Sequence, residues 1–224
     1  MSNPVTSHVR SLSENAVIRK PRQGRSLASF QRMLEATKAL MLERGSENFT
    51  LQDVSERGGV SIGSIYLRFE STDRLLHAVI GQELEAIVEG ERAMLEEIVA
   101  RSTSLADFLP RYIHAYSDFL ANHAQLLRTI MQRAELDPAV SAPGRESAQR
   151  SAEISAKAIL HFRNEISSDD PERRAHTVFR IVFATAARQF GLGSTTESAD
   201  DRIWGVLKEE LSTMALAYLR HQDR

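Results

Sequence analysis

The stretch Thr50–Leu76, TLQDVSERGGVSIGSIYLRFESTDRLL, leaves the chain few ways to fold. Leu51, Val54, Val60, Ile65 and Phe69 are spaced to meet in one small core between two short helices. Thr50 is placed to cap the first, Leu51–Arg57, because its hydroxyl can accept an otherwise unpaired backbone N–H. The pair Gly58-Gly59 stops that helix, since glycine tolerates the left-handed cap conformation. Ser61 is placed to cap a second helix over Ile62–Phe69. Ile62, Ser64, Tyr66 and Arg68 share the face of Ile65 and Phe69 less closely, so several of them look outward. A helix, a tight glycine turn and a second helix make the helix-turn-helix unit, whose second helix enters the DNA major groove. Small and hydroxylic side chains on its outer face suit close approach to phosphates and base edges, and Arg68 adds a cation.

From about Ser26 to Ile87 the chain resembles the TetR/AcrR family of transcriptional regulators. Met33–Ala36 and Leu40–Gly45 are similar to that family's first helix and its closing glycine. Thr50–Val54 resembles the second helix, and Gly59–Phe69 the turn and recognition helix. Ser71–Leu76 resembles the start of the fourth helix. The chain departs from the family at Thr72, where lysine usually supports a phosphate contact, and at Gly58, where alanine is usual. Ser46 stands at a commonly apolar position, with Phe49 three residues on as a substitute. The resemblance implies a three-helix DNA-binding domain, a larger helical domain for an effector and for dimerisation, and a fourth helix that transmits ligand binding to the spacing of paired heads.

Composition agrees with that frame. The apolar fraction of 42% supports an ordinary core. With no cysteine there is neither a disulfide framework nor a thiolate metal site. No apolar run is long enough to cross a membrane and no signal-peptide core opens the chain, so the expected location is the cytoplasm. The net charge of −2 hides an asymmetry: residues 1–76 hold 11 Lys/Arg against 8 Asp/Glu, so the front is basic and the remainder acidic.

Taken in order, residues 1–25 read as a flexible basic arm. Residues 1–18 show no sustained period, so they are expected to be disordered or a frayed helix. Arg19-Lys20-Pro21-Arg22-Gln23-Gly24-Arg25 follows, extended by its proline and glycine and suited to DNA phosphates or a minor groove. Residues 26–76 are the helix-turn-helix domain, its first helix capped by Ser26 or Ser29 and running to Arg44. Residues 77–224 form the effector and dimerisation domain. A long helix begins near Thr72 and reaches Arg101, with Gly81 and Gly90 marking a bend or close packing. Five more are expected: Leu105–Asn122, Ala124–Leu136, one from Pro143 or Gly144 to Ile166, one from Asp169-Asp170-Pro171 to Phe190, and one from Ser198 or Asp200 to Arg220. Gly191–Glu197 is a loop, and the fold class is all-α with about nine helices.

The apolar faces of the last two helices, Val178, Ile181, Val182, Ala186 and Phe190 against Ile203, Trp204, Leu207, Leu211, Met214, Ala215 and Tyr218, suit a four-helix bundle between two chains. Phe108, Tyr112, Tyr116 and Phe119, with Met94, Met131, Phe162 and Phe183, are candidates to line an effector cavity; each also reads as ordinary core. No histidine has glutamate three residues before it, and no HExxH, phosphate-cradling glycine loop or Gly-x-Ser-x-Gly is present, so neither a metal nor a cofactor is expected. For DNA, the candidates are Gln52, Ile62, Ser64 and Tyr66 in the groove, with Arg25, Thr50, Ser61, Tyr66 and Arg68 near phosphates. The resulting expectation is a DNA-binding regulator that blocks transcription as a dimer on a pseudo-palindromic operator. The alternatives are an all-helical enzyme or small-molecule carrier, which needs convergent acid, base or metal groups, and an adaptor, which needs a head without positive potential.

Overall fold

The computed structural model describes residues 7–19, 24–192 and 201–222. The segment Lys20–Gln23, most of the expected loop before the last helix, and the caps expected at Ser198 or Asp200 lie outside the described residues. Among the described residues there are nine α-helices and no strand. They are α1 (Ser7–Asn15), α2 (Arg25–Arg44), α3 (Leu51–Gly58), α4 (Ile62–Tyr66), α5 (Thr72–Arg101), α6 (Leu105–Leu136), α7 (Pro138–Leu160), α8 (Pro171–Gln189) and α9 (Asp201–Arg220).

Several boundaries differ from the sequence reading, each for a local reason. Part of the stretch expected to be disordered or a frayed helix is α1, which buries Val9 and Leu12, with Ala16 buried just past its end, a stripe at three- and four-residue steps. Ser13 of α1 lies against α5 at Gly81, where an added Cβ would stand 2.9 Å from the Ser13 backbone nitrogen. Gly81 therefore marks close packing. Neither Ser26 nor Ser29 caps α2; the helix begins at Arg25 behind Gly24, with no side-chain cap. It ends, as expected, at Gly45, whose φ of 58° is the left-handed cap.

The two helices expected between residues 105 and 136 are one, because buried Leu120, Ala124 and Ile130 carry the apolar period straight through Asn122-His123. The next helix opens at Pro138, not at Pro143. Asp137 accepts the Ala139 N–H at 3.0 Å and Pro138 takes the first helical position, where its missing N–H costs nothing. The same pairing recurs at α8, where Asp170 accepts the Arg173 N–H at 2.9 Å ahead of Pro171.

The chain divides into two compact units. The first runs to Ala86 and adds Gln125–Ser147; the second is Ile87–Ala124 with Ala148–Arg224. The first unit thus holds α1 to α4 and the start of α5, together with the end of α6 and the start of α7.

Candidate nucleic-acid interface

The α3–α4 corner is built by two caps. Thr50 and Asp53 form a reciprocal box: the Thr50 hydroxyl accepts the Asp53 N–H at 3.2 Å, and the Thr50 N–H donates to the Asp53 carboxylate at 2.7 Å. The Thr50 N–H first, then the Arg44 guanidinium and the Thr50 hydroxyl as donors to the carboxylate, hold the Asp53 carboxyl below its ordinary range. Gly59, at φ 57°, ends α3. Gly58 is the last residue of α3, and a Cβ on it would stand 3.1 Å from the Arg32 carbonyl oxygen and 3.3 Å from the Ala36 Cβ. Its departure from alanine is thus matched by a tight approach of α3 to α2. Ser61 caps α4 by accepting the Ser64 N–H at 3.2 Å, and the two hydroxyls share a 2.7 Å bond.

Helix α4 is shorter than expected, ending at Tyr66, yet it orients its side chains as the spacing predicts. Ile65 and Phe69 are fully buried beside Val54 and Met33 in the core of this unit. Tyr66 is 58% exposed and Leu67 53%, while Ser61 and Gly63 are exposed and Ile62 and Ser64 half-buried. Leu67 was not singled out from the sequence, which carried the helix past it. Gln52 is exposed on α3 with its amide bonded to Glu56 at 2.9 Å. Thr50 is exposed and its hydroxyl also bonds the Asp53 carboxylate at 3.0 Å. Arg25 is exposed at the start of α2.

Arg68 corrects the sequence reading. It is 7% exposed and turned inward: its guanidinium donates to the Arg19 carbonyl at 3.1 Å, the Ser26 carbonyl at 3.2 Å and the Ser26 hydroxyl at 2.8 Å. It also lies 5.6 Å from the centre of the Phe30 ring. With its donors so engaged, Arg68 is not a phosphate ligand.

Within the same unit, Arg133 of α6 ties the segment before α3 to the start of α5. It bonds Glu47 at 2.9 Å, and Asp73 and Asp137 at 2.8 Å each. Asp137 meets His77 at 2.6 Å. Burial pushes the Asp137 carboxyl up, but the bonds from His77, Arg133 and the Ala139 N–H outweigh it and hold it at about 2.

In the second unit, four of the expected cavity residues meet, but as packed core. Phe108 stacks on Tyr112 at 5.5 Å, Tyr112 meets Tyr116 at 5.7 Å, and Phe162 meets Phe108 at 5.2 Å. Phe179, which the sequence reading passed over, closes edge-on against Tyr116 at 6.0 Å. Phe119 is half-buried against His123, Met94 is half-buried, and Phe183 is exposed beyond Phe179. Met131 is exposed and belongs to the first unit.

A carboxylate shares this interior. Glu91 is 2% exposed and accepts from the Ser151 and Ser155 hydroxyls at 2.6 and 3.1 Å. Burial raises its carboxyl to about 7 against the pull of the two serines. The fully buried Tyr112 hydroxyl lies near Ser155 without a hydrogen bond of good geometry, and burial pushes that phenol up. One turn along α5 and α7 a groove of about 490 Å³ opens, lined by Leu95, Val99, Ile154 and Ala158, with Arg92 and Lys157 beside them. None of the eight expected residues lines it.

A capped helix, a left-handed glycine turn and a second helix with an exposed outer side define a helix-turn-helix DNA-binding protein. Residues 33–79 match the family model described as bacterial regulatory proteins, tetR family. No curated protein matches the chain in sequence. Solved structures share its fold over most of its length. One from Mesorhizobium loti, assigned to the TetR family of transcriptional regulators, is 16% identical, with a TM-score of 0.68 over 88% of this chain and 96% of that one. Salmonella enterica GusR is 20% identical, with a TM-score of 0.60 over 88% and 98%. A transcriptional regulator from Cytophaga hutchinsonii is 16% identical, with a TM-score of 0.62 over 85% and 98%. Residues 33–79 are thus similar to the DNA-binding part of the tetR family of bacterial regulatory proteins, and the chain as a whole shares the fold of these solved structures. Among the described residues no helix is long and apolar enough to cross a membrane.

Proposed function

We propose that the protein is a ligand-responsive cytoplasmic repressor that binds a pseudo-palindromic operator as a homodimer. The observation that carries the DNA contact is the division of α4 into a buried side, Ile65, and an exposed one, Tyr66, with Leu67 following. Gln52, Ile62, Ser64 and Tyr66 are assigned to the groove, and Thr50, Ser61, Tyr66 and Arg25 to phosphates.

Two observations support the dimer. Val178, Val182, Leu211 and Ala215 are buried between α8 and α9, yet Ile181, Ile203, Val206 and Met214 on the same helices stay exposed, Ile203 at 65% and Met214 at 61%. A cavity of about 180 Å³ lined by Ile181, Met214 and Tyr218 lies on that surface. Apolar side chains in such number on two helices suit a second copy of the pair. The effector reading is supported by the second unit: Glu91, Ser151, Ser155 and the unpaired Tyr112 hydroxyl give an aromatic interior a polar foothold beside an open groove. Helices α5 and α6 are each unbroken from that unit into the first, which suits coupling between them.

The test is Tyr66→Ala in a gel-shift titration, which should weaken binding to every duplex if Tyr66 meets phosphate. Affinity equal to the parent protein refutes the role.

A further inference from the structure

The head has few cations to offer DNA. Six Lys/Arg lie between Ser26 and Leu76. Lys38 is paired with Glu83 at 2.7 Å, Arg44 with Asp53 at 3.2 Å, and Arg57 with Glu43. Arg68 is turned inward, and Thr72 stands where the resemblance implies lysine. Only Arg32 and Arg74 stay exposed without an ion-pair partner among the described residues. Neither lies on α4, so the recognition helix and the residue closing it bring no free charge to the phosphates.

Charge is concentrated just before the head, in Arg19–Arg25. Among the described residues, Ile18 and Arg19 on one side and Ser26 on the other are all bonded to one residue, Arg68. The Arg68 carbonyl accepts the Ile18 N–H at 2.8 Å, and the Arg68 guanidinium holds the Arg19 carbonyl on one side and Ser26 on the other. Helix α1 adds a further anchor upstream, through Val9, Leu12 and the contact of Ser13 with Gly81. Arg19 and Arg25 remain exposed, one on each side of this clamp. Phe69, next to Arg68, is fully buried, and Phe30 stacks on it at 5.8 Å, so the clamp stands on the core of the head.

We infer that Arg68 is a positioning residue: it fastens the backbone at Arg19 and at Ser26 beside the end of the recognition helix, where Arg19 and Arg25 supply the head's main grip on duplex phosphates. Geometry explains why arginine stands there. Only a planar guanidinium reaches two carbonyls and a hydroxyl while lying over a ring. A tether at both ends lowers the entropy lost when the two cations settle on the backbone.

The inference rests on the DNA-binding reading, and one experiment separates the two. Affinity of the full chain for a fluorescein-labelled duplex of random sequence is measured against salt concentration. Each phosphate contact adds about 0.9 to the slope of log K against log salt. Arg19→Ser with Arg25→Ser should lower the slope by about 1.8 per bound head. Arg101→Ser, which removes a cation from the second unit, should leave it unchanged. Arg68→Met should reproduce the slope loss although Arg19 and Arg25 keep their charges, and should add little to the double variant. If Arg68→Met does not fold, the double variant of exposed residues decides alone. A wild-type slope in the double variant overturns this inference. A parent protein with no salt-dependent duplex binding overturns the DNA-binding reading instead.

Discussion

Ser13 packs on Gly81 so closely that a Cβ at residue 81 would come within 3.0 Å of the Ser13 Cβ and 2.9 Å of its backbone nitrogen. Glycine inside α5 costs about 1 kcal/mol relative to alanine, so the contact is what retains it. Gly81→Ala should therefore lower the melting temperature of the full chain by displacing α1. In a chain lacking residues 1–16 the same substitution should raise it. The same sign in both backgrounds would show that α1 does not dock there.

Arg133 offers a second test. Its side chain is 18% exposed, and three carboxylates converge on it, two of them, Glu47 and Asp137, largely buried. Arg133→Ala leaves Glu47 without its cation and Asp137 with His77 and the Ala139 N–H alone, and should cost about 3 kcal/mol in urea unfolding. A loss under about 1 kcal/mol would mean that the cluster behaves as a solvated surface group.

Glu91 gives the chain a pH signature. Its carboxyl is raised to about 7 by burial, from an ordinary 4.5. The folded protein therefore holds a proton that the unfolded chain releases, so the stability this provides is complete below about 4.5 and is lost as pH rises to about 7. The amplitude is on the order of 3 kcal/mol. Glu91→Gln should flatten this part of the melting profile and make the variant more stable than the parent protein above pH 7. A parent-like profile in the variant would contradict the assignment.

The exposed apolar side chains of α8 and α9 carry the assembly claim. Met214→Asp places a charge at a residue 61% exposed in one chain, so in an isolated monomer it should change little. In a dimer closed by these helices it should shift light-scattering mass to that of one chain. A dimer of unchanged mass would move the interface elsewhere.

What could be read from the sequence depended on how far apart the partners lie. Caps within three residues, Thr50 with Asp53 and Ser61 with Ser64, follow from local chemistry, and so does the buried side of α4. Arg68 could not be read that way. Its partners Arg19 and Ser26 stand more than forty residues earlier, and a cation on an amphipathic helix looks solvent-facing until the chain folds back. Helix α1 reads from the sequence as a frayed helix at most because its stripe has few apolar members, and α7 starts ahead of Pro143 because the Asp137-Pro138 pair opens it. The aromatic residues of α6 were correctly grouped by period, but periodicity does not separate a cavity wall from a packed core. Glu91, a lone acid on a long helix, gave no sign that two serines from α7 would enclose it.

The central claim is that the side of α4 bearing Tyr66 enters duplex DNA in a pair of heads related by two-fold symmetry. Selection of bound sequences from a random duplex pool measures this most directly. The account requires an inverted repeat, with half-sites about one helical turn or a multiple of it apart. Enrichment of a single unrepeated half-site would contradict the paired heads, and no enrichment over the starting pool would contradict the recognition role of α4.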